Sequence, residues 1–181
     1  MIKDILKEAY EKKSIIGITT KIIDWDESII GFIIEIDDTY FTLNELDEYG
    51  AFIGSTIISI SDVCHVEPSN WYMRNLLLVM EGNSTLNPNA RVTVWKEGKE
   101  LKAQFQHIKD NNKITRFFFE DDNFAIGIVL DFDKESLLIK NIGQDGSDDG
   151  VTCYQIDDII GLRYDGLEEQ RIRLLLDSKE L

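Results

Sequence analysis

The sequence predicts a mainly β fold, α+β by count of elements, made of two tandem five-stranded small β-barrels, each preceded by a short N-terminal helix. Three observations predict it. The chain repeats itself at an offset of 96 residues, each copy opens on an amphipathic segment, and each then breaks into short β-branched and aromatic runs.

The repeat is read from landmark residues. Gly31 and Gly127 each interrupt an apolar run, and 127 − 31 = 96. The same offset pairs Asp26 with Asp122, Asp37 with Asp133, Gly50 with Gly146, Gly54 with Gly150, Asp62 with Asp158 and Leu78 with Leu174, and no gap is needed. Apolar positions follow in step, for example Ile36 with Phe132 and Leu43 with Ile139. The chain therefore reads as a tandem duplication, residues 1–80 and 97–181, joined by a linker over 81–96 whose EGNSTLNPNA carries asparagines, a glycine and one of two prolines.

Within the first copy, Ile2, Ile5, Leu6, Ala9 and Tyr10 share one face of a helix over residues 2–13. IIGITTKIID, IIGFIIEID, YFTLNEL and STIISIS then read as successive antiparallel strands, with a short fifth strand in SDVCHVE. The second copy answers with KITRFFFED, FAIGIVLDF, SLLIKNI, VTCYQI and DDIIGLRY. Leu101, Phe105 and Ile108 favour a helix over 99–111, with a hairpin turning at Glu97 and Gly98 as the alternative. The tails WYMRNLLLVM and LEEQRIRLLLD fit closing strands or short helices equally well. So few short strands cover both faces of a core by curling into a barrel. Gly31, Gly50, Gly54, Gly127, Gly146 and Gly150 are the glycines expected to serve its bends and turns.

The run Gly31, Ile33, Ile36, Asp37, Tyr40 and Phe41, with Gly127, Val129, Phe132, Asp133, Ser136 and Leu137 in the second copy, resembles the first motif of Sm and Sm-like (LSm) proteins. The resemblance covers nearly the whole chain as a pattern of fold, an Sm-like or SH3-like barrel. It implies small barrels that associate through strand edges, and hence homo-oligomers built from barrel edge strands. It does not carry RNA binding across. Where Sm proteins place a base-contacting asparagine, this chain has Phe41 and Leu137, and of the arginine and glycine of the second motif only Gly161 is present.

Charge points the same way. Lys plus Arg number 19 against 34 Asp plus Glu, a net −15, which repels phosphate backbones and favours a partner with a basic surface. No nucleic acid is expected as partner. No apolar stretch is long enough for a membrane span, and the charged N-terminal segment does not resemble a secretory signal, so the expected location is a bacterial cytoplasm. Cys64 and Cys153 lack a CxxC spacing, and the two histidines, His65 and His107, lack a nucleophile motif, so no enzyme, cofactor or metal centre is expected.

Two aromatic groups are the candidate partner-binding residues. Asp24, Trp25 and Asp26 place a tryptophan between acids, and Trp71 with Tyr72 follows Pro68. The alternative for Trp71 and Tyr72 is to plug the end of the first barrel. GQDGSDDG, residues 143–150, gathers Asp145, Asp148 and Asp149, but counted from Asn141 it lacks the third and twelfth ligands of an EF-hand loop. A weak metal site at those three aspartates is left open. The expected role is a non-enzymatic acidic interaction protein, an inhibitor or immunity-type protein masking a basic partner such as a nuclease. The competing readings are an Sm-like RNA-binding module and an oligomerising scaffold.

Overall fold

The computed structural model describes residues 1–21, 28–96 and 101–179. The chain divides into two compact units, Met1–Asn83 and Ser84–Leu181. The fold is α+β, with two antiparallel sheets and, among the described residues, four α-helices.

In the first unit, α1 (Ile2–Lys12) precedes β1 (Ile15–Thr20), β2 (Ile29–Ile36), β3 (Tyr40–Leu46), β4 (Phe52–Ser59), β5 (Val63–Glu67) and α2 (Trp71–Gly82). The sheet order is β4-β3-β2-β1-β5. Leu6 and Ala9 of α1 pack with Ile16, Ile18, Phe41 and Leu43 on one face of the sheet, while Met73 and Leu76 of α2 pack with Ile15 and Leu46 on the other. Strand β1 is buried along its whole length because it lies under both helices. Asn70 caps α2, its side chain accepting from the Met73 amide at 2.8 Å.

The second unit has β6 (Val92–Trp95), α3 (Leu101–Asp110), β7 (Thr115–Phe118), β8 (Phe124–Phe132), β9 (Ser136–Ile142), β10 (Asp148–Gln155), β11 (Gly161–Tyr164) and α4 (Leu167–Lys179). Its sheet order is β10-β9-β8-β7-β11-β6. Leu101, Phe105 and Ile108 of α3 enter one core with Phe117, Val129, Leu137 and Ile139; Ile172 and Leu176 of α4 enter another with Ile126, Ile128 and Ile142.

Three expectations are corrected. First, the sheets are open rather than closed barrels. Every neighbouring pair is antiparallel, so β4 and β5 run in the same sense at opposite edges. Only residues 60–62 join them, in a single 3₁₀ turn, whereas parallel neighbours need a crossover of a dozen or more residues. The same link makes the sheet curl: four residue steps from Ser59 to Val63 span at most about 14 Å, against about 19 Å across five flat strands. Second, the stretch taken as linker is structured at both ends, since α2 runs to Gly82 and β6 adds a sixth strand to the second sheet. The helix favoured over 99–111 is present at Leu101–Asp110, and the two tails, open between strand and helix, are both helices. Third, the two units do not keep a single offset of 96, and a gap is needed to align them.

That gap is visible in the register. From β2 onward equivalent positions differ by 96: Gly31 faces Glu45 and Gly127 faces Asn141, and 127 − 31 = 141 − 45 = 96. In α1, β1 and their counterparts the difference is 99. Lys13 and Asn112 both end their helices at φ 49°, and 112 − 13 = 99. Ile18 faces Val66 as Phe117 faces Leu162, again 99 on one strand and 96 on the other. The connection from β7 to β8 is thus three residues shorter than that from β1 to β2.

The predicted turn glycines divide by environment. Gly50 and Gly146 adopt φ of +71° and +77° in tight turns, and a Cβ there would meet Met80 or Leu176 backbone at 2.7 Å. Gly150 has φ +85° at a bulge in β10. Gly31 and Gly127 lie inside strands, where a Cβ would sit 1.9 Å and 2.2 Å from the carbonyl oxygens of Asn44 and Lys140. Gly54 is inside β4 with nothing within 4 Å, so it serves neither a turn nor a close approach.

Candidate docking edge

The eight residues of β4, FIGSTIIS, contain no charge. The strand ends its sheet, so one row of its amides and carbonyls is paired to β3 and the other row has no strand partner among the described residues. Phe52 is 56% exposed, Ile53 62% and Ile57 73%. Natural edges are ordinarily blunted by charge, proline or cover.

The second unit does blunt the equivalent edge. Positions 52 and 53 correspond to Asp148 and Asp149 in β10, where Asp148 lies 3.1 Å from Lys140. At the other side of this sheet β11 pairs with β6, Gly161 facing Trp95 and Tyr164 facing Val92, and β6 is the outermost strand.

Two hollows flank β4. Beside Phe52 is a groove of about 620 Å³ lined mainly by Tyr10, Phe32, Ile34, Phe52 and Met80, with the Phe32 and Phe52 rings 6.3 Å apart. Beside Ile57 is a hollow of about 370 Å³ lined by Glu35, Ile36, Asp37, Tyr40, Thr42 and Ile57. Asp37 Oδ1 accepts from the Thr39 and Tyr40 amides at 2.6 and 2.7 Å, and these bonds hold its carboxyl below the usual range, hence ionised. Lys3 is engaged elsewhere, with Asp38 at 2.7 Å.

The residues singled out in the sequence are placed as follows. Asp24, Trp25 and Asp26 lie outside the described residues. Trp71 is 60% exposed at the start of α2 and meets Tyr72 edge-on, centroids 6.1 Å apart. Tyr72 packs against the core formed by Ile15, Leu46, Met73 and Leu76. Asp145 receives the Ser147 amide at 3.0 Å and Lys179 Nζ at 3.1 Å, while Asp149 accepts from the Ser147 hydroxyl. The acids of GQDGSDDG are therefore held by lysines and by the turn itself. His65 lies 3.4 Å from Glu67 at the surface, and Cys64 is half-buried with Sγ 3.8 Å from the Asp62 carbonyl.

Sequence reading missed one feature, a buried ion network. Glu169 is 2% exposed and receives Arg163 Nη2 at 2.7 Å and Nε at 3.0 Å; Arg116 pairs with Glu168 and stacks on Phe124 at 4.2 Å. Burial opposes the Arg163 charge, but the bonds to Glu169 and Glu168 outweigh it and raise the pKa. The network fastens α4 to β7 and β11. The signal was available: at the equivalent positions the first unit has Met73, Glu67 and Gly17, so an exchange of methionine for glutamate coincides with gained arginines.

No helix among the described residues is long and apolar enough to cross a membrane. Comparison of the chain with protein-family models, with curated proteins and with solved structures finds no match.

Proposed function

We propose that this chain is a tandem duplication of an Sm-like fold acting as a non-enzymatic acidic interaction module, which docks a basic partner protein by strand addition at β4. Support for the duplication comes from equivalent registers, bulges and turns in the two units. Ile33/Glu35 and Val129/Asp131 carry the same bulge, and Asp37 and Asp133 cap the same turn.

The observation that carries the functional reading is the bare, uncharged edge of β4 where the equivalent edge of β10 is guarded. Had both copies kept an open edge, a passive feature of the fold would suffice as explanation. The equivalent edge of the other unit is guarded by Asp148 and Asp149, so the openness of β4 is specific to the first unit rather than a passive feature of the fold. A partner's extended segment would complete the row of main-chain hydrogen bonds, and flanking side chains would select it. The net −15 steers a basic partner toward this surface and opposes a second copy of the same chain. An inhibitor or immunity-type role, masking a basic protein such as a nuclease, follows from that pairing.

The test is retention of native proteins on the immobilised full chain, compared for wild type, Ile57→Lys and Val151→Lys. The expected result is a basic protein retained by wild type and Val151→Lys and lost with Ile57→Lys. Retention of acidic proteins, or retention indifferent to Ile57→Lys, contradicts the proposal. A concentration-dependent dimer abolished by Ile57→Lys would assign the edge to a second copy instead.

A further inference from the structure

We infer that the segment accepted at β4 carries an apolar side chain for the groove beside Phe52 and, four residues away on the same face, a lysine or arginine for the hollow formed by Glu35, Asp37 and Tyr40. This rests on the strand-addition reading above and specifies its ligand.

The spacing comes from the register. Phe52 faces Leu46 and Ile57 faces Thr42, four residues apart on β3, because β4 is irregular where Glu45 and Leu46 pair with Gly54 and Phe52. Phe52 and Ile57 thus belong to one side of the sheet although they are five apart in sequence. A regular strand added beyond β4 presents residues i and i+4 to that side, about 14 Å apart.

The chemistry at each end is distinct. The Phe52 groove is lined by aromatic and aliphatic side chains, and its two charges, Glu11 and Lys13, are of opposite sign. The Ile57 hollow has two carboxylates, no cation in its lining, and a half-exposed tyrosine, the components that hold an ammonium or guanidinium group.

The second unit indicates what is missing. Glu35 corresponds to Asp131, which receives Lys109 of α3 at 2.7 Å. Lys109 corresponds to Tyr10, since 109 − 10 = 99 in the helix register. The first unit has kept the acid and lost the internal cation, and Glu35 makes no ion pair with a described residue. A basic residue of the bound segment restores the pair.

The experiment measures fluorescence anisotropy of labelled eight-residue peptides on the full chain. The probes are Thr/Val peptides carrying Leu and Lys at i and i+4, in both orders, with versions in which Lys is replaced by Glu or alternate amides are N-methylated. The Lys peptide is expected to bind about tenfold or more tightly than the Glu peptide. Glu35→Gln should weaken the Lys peptide about three- to fivefold, while Asp149→Asn, which removes the same charge from the other unit, leaves it unchanged. Equal binding of the Lys and Glu peptides, or equal effects of Glu35→Gln and Asp149→Asn, overturns the inference and leaves strand addition standing if N-methylation still abolishes binding. Undiminished binding of the N-methylated peptide overturns strand addition itself. Failure of every peptide to bind at about 1 mM overturns both.

Discussion

Phe52 and Asp148 hold the same position on the outermost strands of two equivalent sheets, Phe52 facing Leu46 and Asp148 facing Ile142, each pair 96 residues from the other. One copy places an aromatic ring at the edge and the other a carboxylate. Exchanging them should exchange behaviour. Phe52→Asp is expected to lower affinity for the partner or probe peptide at least tenfold, with a stability change within about 1 kcal/mol for so exposed a side chain. Anisotropy titration alongside a urea melt checks both.

The buried network of the second unit makes a prediction that runs against volume matching. Glu169 occupies the position of Met73, and both are buried. Glu169→Met nevertheless removes the buried carboxylate that takes the two closest bonds of Arg163, leaving only the more exposed Glu168 to both arginines, and should destabilise the protein by about 3 kcal/mol, as removal of one partner of a buried pair does. Chemical denaturation measures it. A cost under about 1 kcal/mol would mean that the arginines find other partners.

The glycines separate by environment. Gly50→Ala combines a φ of +71° with a Cβ 2.7 Å from the Met80 backbone and should cost about 3 kcal/mol or more. Gly150→Ala, at φ +85° but in open space, should cost about 1 kcal/mol, and Gly54→Ala should lie within about 0.5 kcal/mol of wild type. Thermal or urea melts of the three variants, in that order of severity, are the check.

Acid titration tests the turn at Asp145. The Ser147 hydroxyl and amide, with Lys179 Nζ, bring its carboxyl from 3.8 down to about 2 against the opposing effect of burial. A depressed folded-state pKa contributes stability above the unfolded value, and that contribution is lost as pH falls from about 4 to about 2. Asp145→Asn should therefore lower stability at pH 7 by about 1 kcal/mol, once the shift is discounted for a side chain 34% exposed, and the difference from wild type should vanish near pH 2.

Much of the element pattern was legible because it is local. Alternating β-branched runs, the aspartate turns at Asp37 and Asp133 and the helical spacing of Leu101, Phe105 and Ile108 each lie within a dozen residues. What could not be read was non-local. Whether VTVW pairs with anything depends on β11, some 70 residues away, so it passed for linker. The three-residue difference between the units falls before the first landmark they share, Asp26 and Asp122, and became visible only where Lys13 and Asn112 take the same left-handed conformation. The candidate site was missed for a related reason. STIISIS reads as any half-buried strand, and its position at the sheet edge follows from the pairing of all five strands. The aromatic residues that sequence singled out were conspicuous by type; Phe52 and Ile57 matter by place.

Hydrogen exchange on the full chain, with and without the Lys-bearing extended peptide, tests strand addition at β4 most directly. Alternate amides of Phe52–Ser59 that exchange quickly in the free protein should become protected in the complex, while those of Asp148–Gln155 remain as they were. Binding without new protection in β4, or protection that appears along β10 instead, would contradict it.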